Sequence, residues 1–293
     1  MRFVTTPLTN ALAALAAALV AFLPAVASAQ NGMPHPWQLN LQPANSEVMT
    51  FIHWFHDWVN VLIFIVSLFV LGLLVYVVFR FNEKANPVPS KTTHHALLEV
   101  AWTIVPVLIL VVIAIPSFRL LKLQLEIPQA DMTVKVTGKQ WYWSYEYPQD
   151  GGAFGFDSLM LDEKQRAEAI SSKKIAESEA PRLLAVDNEA VVPVGKIVRL
   201  QITGADVIHK FALPAFGVKI DAIPGRLNET WFKADREGIF YGQCSFICGQ
   251  NHAFMPIAIR VVSQERYTAW VAEAKQKFAN AADAASKVAE ATR

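Results

Sequence analysis

The chain has 293 residues, with 26 Lys and Arg against 25 Asp and Glu, for a formal net charge of +1. That balance excludes the broad basic field by which nucleic acid is captured, so no nucleic-acid partner is expected. Hydrophobic residues make up 53% and charged residues 17%, which is too apolar for an ordinary soluble domain and points to membrane segments.

Residues 1–29 read as a secretory signal peptide, with Arg2, an apolar run from Ala11, and a small-residue cleavage site at Ala27-Ser28-Ala29. Residues 30–57 follow as an N-terminal segment without Lys or Arg, expected in the periplasm. His53 and His56 within it read as interfacial residues rather than ligands. Uncharged runs from Val59 to Phe79 and from Val100 to Phe118 define a transmembrane helical hairpin over residues 58–122. At about 1.5 Å per residue, roughly 20 residues cross the ~30 Å hydrocarbon core. Pro106 and Pro116 are compatible with a membrane helix whose neighbours satisfy the freed carbonyls. The connecting loop carries Arg80, Lys84 and Lys91 against Glu83, although Arg119 and Lys122 beyond the second run offset this slightly. The excess places the loop in the cytoplasm and both outer ends in the periplasm. The expected location is a bacterial inner membrane, crossed twice. Glu99 lies at the cytoplasmic mouth of the second helix, where the helix dipole favours a carboxylate.

From residue 123 to 262 the pattern changes to short strands. Met132–Gly138 alternates, Trp141–Tyr147 alternates, and 191–203 and 256–262 are β-branched runs bounded by Gly and Pro. Such spacing predicts an all-β Greek-key sandwich. Trp141, Trp143, Tyr145 and Tyr147 fall on one face of their strand. Residues 161–182 read as a charged, helix-compatible surface insertion. Residues 263–293 form a C-terminal tail in which Tyr267, Trp270, Val271, Ala274 and Phe278 recur at helical spacing.

The chemistry concentrates in the stretch YGQCSFICGQNHAFMP, residues 241–256. It holds both cysteines, Cys244 and Cys248, with His252 four residues after the second and Met255 three later. His209 lies upstream in the stretch DVIHKF. Two thiols, two imidazoles and a thioether are soft or borderline donors that suit copper. The same cysteines could form a disulfide in an oxidising compartment, and Cys2His2 is also a zinc set. A blue copper site uses a single cysteine. Two thiolates can instead bridge two copper ions, each with one terminal histidine, with Met255 and a backbone carbonyl from the intervening turn as weak axial ligands.

The pattern C-S-x-I-C-G-x-x-H-x-x-M with D-V-I-H upstream resembles subunit II of cytochrome c oxidase, and the resemblance runs over nearly the whole chain after residue 29. It implies a cupredoxin domain with a binuclear copper centre held by His209, Cys244, Cys248, His252, Met255 and the main-chain oxygen of Phe246. It implies that Trp141 receives electrons from cytochrome c and that Glu99 stands at a proton path into subunit I. It further implies an acidic docking face for cytochrome c, for which Glu146, Asp157, Asp187 and Asp206 are candidates. Partners would be subunit I and the other oxidase subunits, cytochrome c and the membrane, with oxygen reduced in subunit I. One residue departs from the pattern. The family usually carries a glutamate at position 246, whose side chain reaches a magnesium or manganese ion at the contact with subunit I, and the ring of Phe246 cannot do that. Competing readings are a quinol oxidase subunit, which lacks the copper ligands, a membrane-anchored copper-binding or assembly protein, and a receptor-like domain with a disulfide.

Overall fold

The computed structural model describes residues 32–148 and 154–291, with 279–291 given by backbone alone. The signal peptide expected at 1–29 lies outside the described residues. Two long helices come first, α1 at Glu47–Arg80 and α2 at Ala96–Leu125. Ten strands follow: β1 Met132–Lys139, β2 Tyr142–Tyr147, β3 Phe154–Ser158, β4 Ala190–Pro193, β5 Ile197–Gly204, β6 His209–Leu213, β7 Val218–Ala222, β8 Asn228–Lys233, β9 Gly238–Cys244 and β10 Pro256–Val262. A short helix α3, Glu163–Ser171, sits between β3 and β4, and helix α4, Gln264–Ala291, ends the chain.

Helix α1 has 34 residues, or about 50 Å at 1.5 Å per residue, well beyond the ~30 Å a bilayer core requires. The excess is at its start. The helix begins eleven residues before the boundary expected at 58, because Ser46 caps it by accepting from Met49 N at 3.0 Å. The same hydroxyl donates to Phe216 O at 2.8 Å, and Asn45 N donates to Ala215 O at 2.7 Å. Val48 and Met49 are buried against this turn of the β domain. Gly217 makes the approach possible. Its φ of +69° is the left-handed region, and a Cβ there would stand 2.8 Å from Ile52 Cδ1. The first helical turns are therefore fixed to the β domain by these contacts, and the apolar remainder is long enough to span the membrane. Both proline positions of α2, Pro106 and Pro116, lie within an unbroken helix.

The strands form two five-stranded sheets, in the orders β3-β2-β1-β5-β8 and β4-β10-β9-β6-β7. The pairs β1/β5 and β4/β10 are parallel and the rest are antiparallel. This is the expected β-sandwich. Alternation is strict on β1 and β5, where every second residue is buried, so the two inner faces close over a common core. Trp143, Tyr145 and Tyr147 on β2 fill it together with Phe211, Phe216, Phe232 and Phe240. Tyr147 links the sheets, its hydroxyl donating to Val191 O at 3.0 Å and accepting from Val191 N at 2.9 Å.

The tail helix α4 lies against the β2–β3 edge. Tyr267 and Ala274 are buried there, Trp270 packs edge-on to Tyr147, and Phe278 stacks on Phe156 at 4.6 Å. The insertion 161–182 contains α3, started by a capping box between Asp162 and Gln165.

Candidate metal centre

The donors gather at one end of the sandwich because β6, β9 and β10 are neighbours in one sheet. Cys244 is the last residue of β9, and the loop that follows returns at Pro256 into β10. His209 is the first residue of β6. The pairing of Phe211 with Cys244 places β6 beside the end of β9, and Ser245 N donates to Lys210 O at 3.0 Å. Gly242 allows this pairing, since a Cβ there would lie 2.0 Å from Ala212 O.

His209 Nδ1 lies 4.0 Å from Cys244 Sγ, the two sulfurs are 3.9 Å apart, and His252 Nδ1 lies 3.6 Å from Cys248 Sγ. Met255 Sδ is 3.5 Å from Cys248 Sγ, and Phe246 O is 3.4 Å from Cys244 Sγ. All six expected donors are thus brought together. The thiols are free and buried, separated by nearly twice the ~2.05 Å of a disulfide bond. His209 is buried completely. A soft, largely desolvated set of this composition fits copper.

The surrounding residues hold the donors in place. His209 Nε2 is 2.8 Å from Asp206 Oδ1, which leaves Nδ1 turned toward the sulfurs. Asp206 itself accepts from Gln140 N and Val207 N, both at 2.7 Å. Burial opposes its ionisation, but these bonds and that to His209 hold the carboxyl below the usual carboxylate range. Burial also disfavours a charged His209, yet its contacts with Cys244 and Asp206 raise its basicity overall. For Cys244, burial is outweighed by hydrogen bonding to His209 and to the backbone at Lys210 and Phe246, which brings the thiol down to about 6. Cys248 moves the other way, pushed up to about 12 by burial and then by the charge on Cys244. The surroundings therefore favour ionisation of Cys244 over that of Cys248.

Two tryptophans reach the loop. The buried Trp143 donates from Nε1 to Met255 O at 3.2 Å and lies edge-on to the His209 ring. Trp141, half-buried and just ahead of β2, donates to Cys248 O at 3.2 Å. Gly249, at φ +127°, makes room for it, since a Cβ would meet Trp141 Cζ2 at 2.8 Å. Gln140 donates to the same carbonyl at 2.9 Å. Gly249 is the glycine of the C-S-x-I-C-G pattern, whereas the roles of Gln140 and of the Trp143 indole had no sequence signal beyond their closeness to Trp141.

The remaining expected residues lie elsewhere. Glu99 accepts from His95 N at 3.1 Å at the start of α2, an exposed helix-capping contact. Glu146, Asp157 and Asp187 line one open hollow beside α4. There Lys135 pairs with Glu146 at 2.9 Å, Lys139 lies 3.6 Å from Asp157, and Asp187 accepts from Leu159 N at 2.8 Å. Asp206 does not line that hollow; it is exposed at the end of the sandwich that carries the donors, with its carboxylate against His209. The rim of this end also exposes apolar side chains, Val207, Ile208, Phe246, Ile247 and Phe254. The outer face of the loop does not fit a magnesium or manganese ion. Phe246 presents a ring 43% exposed, and such ions require hard oxygen ligands.

The chain matches two family descriptions, the transmembrane domain of cytochrome c oxidase subunit II over residues 34–120 and its periplasmic domain over residues 132–262. It is 48% identical over 272 residues to cytochrome c oxidase subunit 2 of Cereibacter sphaeroides, covering 89% of each chain. It is also 48% identical over 247 residues to the probable cytochrome c oxidase subunit 2 of Rickettsia bellii, covering 84% of this chain and 88% of that one. The crystal structure of the periplasmic domain of subunit II of cytochrome oxidase from Bradyrhizobium japonicum is 63% identical. It covers 52% of this chain and 99% of that one, with a TM-score of 0.45. Two membrane-length helices carrying a cupredoxin-like sandwich with a thiol-imidazole cluster at one end define a membrane-anchored subunit of an oxidoreductase complex. The chain belongs to the cytochrome c oxidase subunit II family.

Proposed function

We propose that this subunit accepts electrons from cytochrome c at a centre of two copper ions and delivers them to haem in subunit I, where oxygen is reduced. The observation that carries the reading is the convergence of His209, Cys244, Cys248, His252, Met255 and the Phe246 carbonyl at one end of the sandwich. Two ions are supported by the pairing of each thiol with its own imidazole, His209 beside Cys244 and His252 beside Cys248. Copper in such a donor set supplies a one-electron redox centre.

The chain's own residues do the rest. Asp206 sets the tautomer and orientation of His209. The indole N–H of Trp143 anchors the Met255 end of the loop, and Gln140 and Trp141 anchor the Cys248 end. Donors held from both sides have little freedom to move when charge changes, which keeps the reorganisation small. Trp141 is the half-buried aromatic bonded directly to the loop, which supports it as the group that receives the electron. Equal reduction rates by cytochrome c in Trp141→Ala and the unaltered protein, at equal docking affinity, would exclude that role.

The apolar rim supports burial of the copper end by a partner subunit. For cytochrome c, the hollow with Glu146, Asp157 and Asp187 supports electrostatic docking, weakened by its two lysines and sensitive to salt. Association rates independent of ionic strength would remove it. Glu99 takes a proton role at the mouth of α2 in this reading, and unchanged turnover of the Glu99→Ala oxidase would end it. The deciding experiment is the metal content and electron paramagnetic resonance spectrum of the purified oxidase. The expected result is two coppers in this chain sharing one unpaired electron. Zinc, a single copper or a disulfide would overturn the reading.

A further inference from the structure

Position 246 lacks the carboxylate that a divalent ion would require, and the chain carries a cation of its own at the same corner. Lys210 follows the donor His209 on β6. Its ammonium lies 5.9 Å from the centre of the Phe246 ring, within the ~6 Å reach of a cation–π contact. It also lies 3.0 Å from Asp221 Oδ1, its register partner on β7. The backbone of Lys210 is tied to the copper loop through the bond from Ser245 N. A carboxylate on one side and an aromatic face on the other thus hold the charge in place. Lys210 and Asp221 line a hollow together with Leu125, the last residue of the second membrane helix. This corner therefore faces the membrane side of the domain.

Resting on the oxidase reading above, we propose that Lys210 is a built-in replacement for the divalent ion at the subunit contact, and that the assembled enzyme binds no such ion there. The ring of Phe246 offers no oxygen ligand, and the nearby Asp221 carboxylate is already paired with the Lys210 ammonium. Phe246 and Lys210 then act as a pair. The ring removes the metal ligand and gives the ammonium an aromatic face, so the Lys210–Asp221 pair occupies this corner beside the copper loop without a metal. Lys210 is a positioning residue in this scheme, acting on the copper centre through its field.

The test uses the purified oxidase from cells grown with excess manganese, with copper and manganese counted in one sample. The expected result is full copper and no stoichiometric manganese in the unaltered enzyme, and one manganese per complex in the Phe246→Glu, Lys210→Ala double variant. Stoichiometric manganese in the unaltered enzyme overturns the proposal, as does its absence from a double variant that keeps its copper. A redox titration provides a measurement that does not depend on the double variant folding. Lys210→Met should lower the reduction potential of the copper centre, because loss of a nearby positive charge favours the oxidised state, and Lys210→Arg should restore it. Equal potentials in all three proteins overturn the electrostatic role. Missing copper in the unaltered enzyme would refute the oxidase reading itself, which the copper count separates from the manganese result.

Discussion

At the residue scale, the centre depends on groups that touch no metal. Asp206 turns the His209 ring so that Nδ1 faces the sulfurs. Replacing it with Asn keeps the size but removes the charge, and outer partners of this kind typically govern about 10–100-fold in metal affinity. Asp206→Asn should weaken copper binding by that order in a competition titration, and unchanged affinity would mean that the ring is held by packing alone. Copper uptake should also depend on pH in a definite direction. The Cys244 thiol is lowered to about 6, so its thiolate is present above that pH and is lost as pH falls through it. Protons compete with metal for thiolates, so loading of the metal-free chain should slow below about pH 6. A pH-independent loading rate would contradict this. Tyr145 gives a stability prediction. Its hydroxyl is buried with no hydrogen-bond partner among the described residues, and burial raises its pKa far above the ordinary tyrosine value. An unsatisfied buried polar group costs roughly 1–3 kcal/mol. Tyr145→Phe should therefore leave stability unchanged or raise it by about 1 kcal/mol in thermal unfolding, and a clear loss would show that the hydroxyl has a partner in the assembled protein.

At the element scale, the joint between membrane and domain is the start of α1. Ser46 caps the helix and bonds the Phe216 carbonyl with the same hydroxyl. Ser46→Ala removes both, and loss of a cap costs about 1 kcal/mol. The variant should become more sensitive to proteolysis near residue 46 while keeping its copper, and an unaltered cleavage rate would show that Asn45 and Val48 suffice. This joint was only partly legible. Hydropathy located the apolar run of α1, but the turns before it are amphipathic, and their helicity follows from a cap whose partner is 170 residues away. The strands of the sandwich were legible from alternation and β-branching, because a half-buried strand records its environment in its own sequence. The partners of each strand were not, since β1 beside β5 and β4 beside β10 are decided by which faces close the core.

At the scale of the whole molecule, two helices expose apolar side chains along nearly their full length, a surface that only lipid or other membrane helices cover. The loop between them carries the positive charges that remain in the cytoplasm. A cysteine placed at Ser90 should react with an impermeant thiol reagent only after the membrane is opened, and labelling from the periplasmic side of intact cells would reverse the topology. The sequence alone located the thiol, imidazole and thioether donors, and the family pattern, not the donor types, singled out copper from zinc or a disulfide. Two cysteines, two histidines and a methionine at those spacings are a local record, as is a membrane run, because each depends on residue type and interval. The tertiary structure decided what surrounds the donors. Asp206, exposed at the surface, also met the His209 ring, Trp143 became the anchor of the Met255 carbonyl, and Lys210 met Phe246 and Asp221. These contacts join β1–β2, β6, β7 and the loop after β9, elements remote in the chain. Their closeness follows from sheet order and core closure, which no short stretch of sequence encodes.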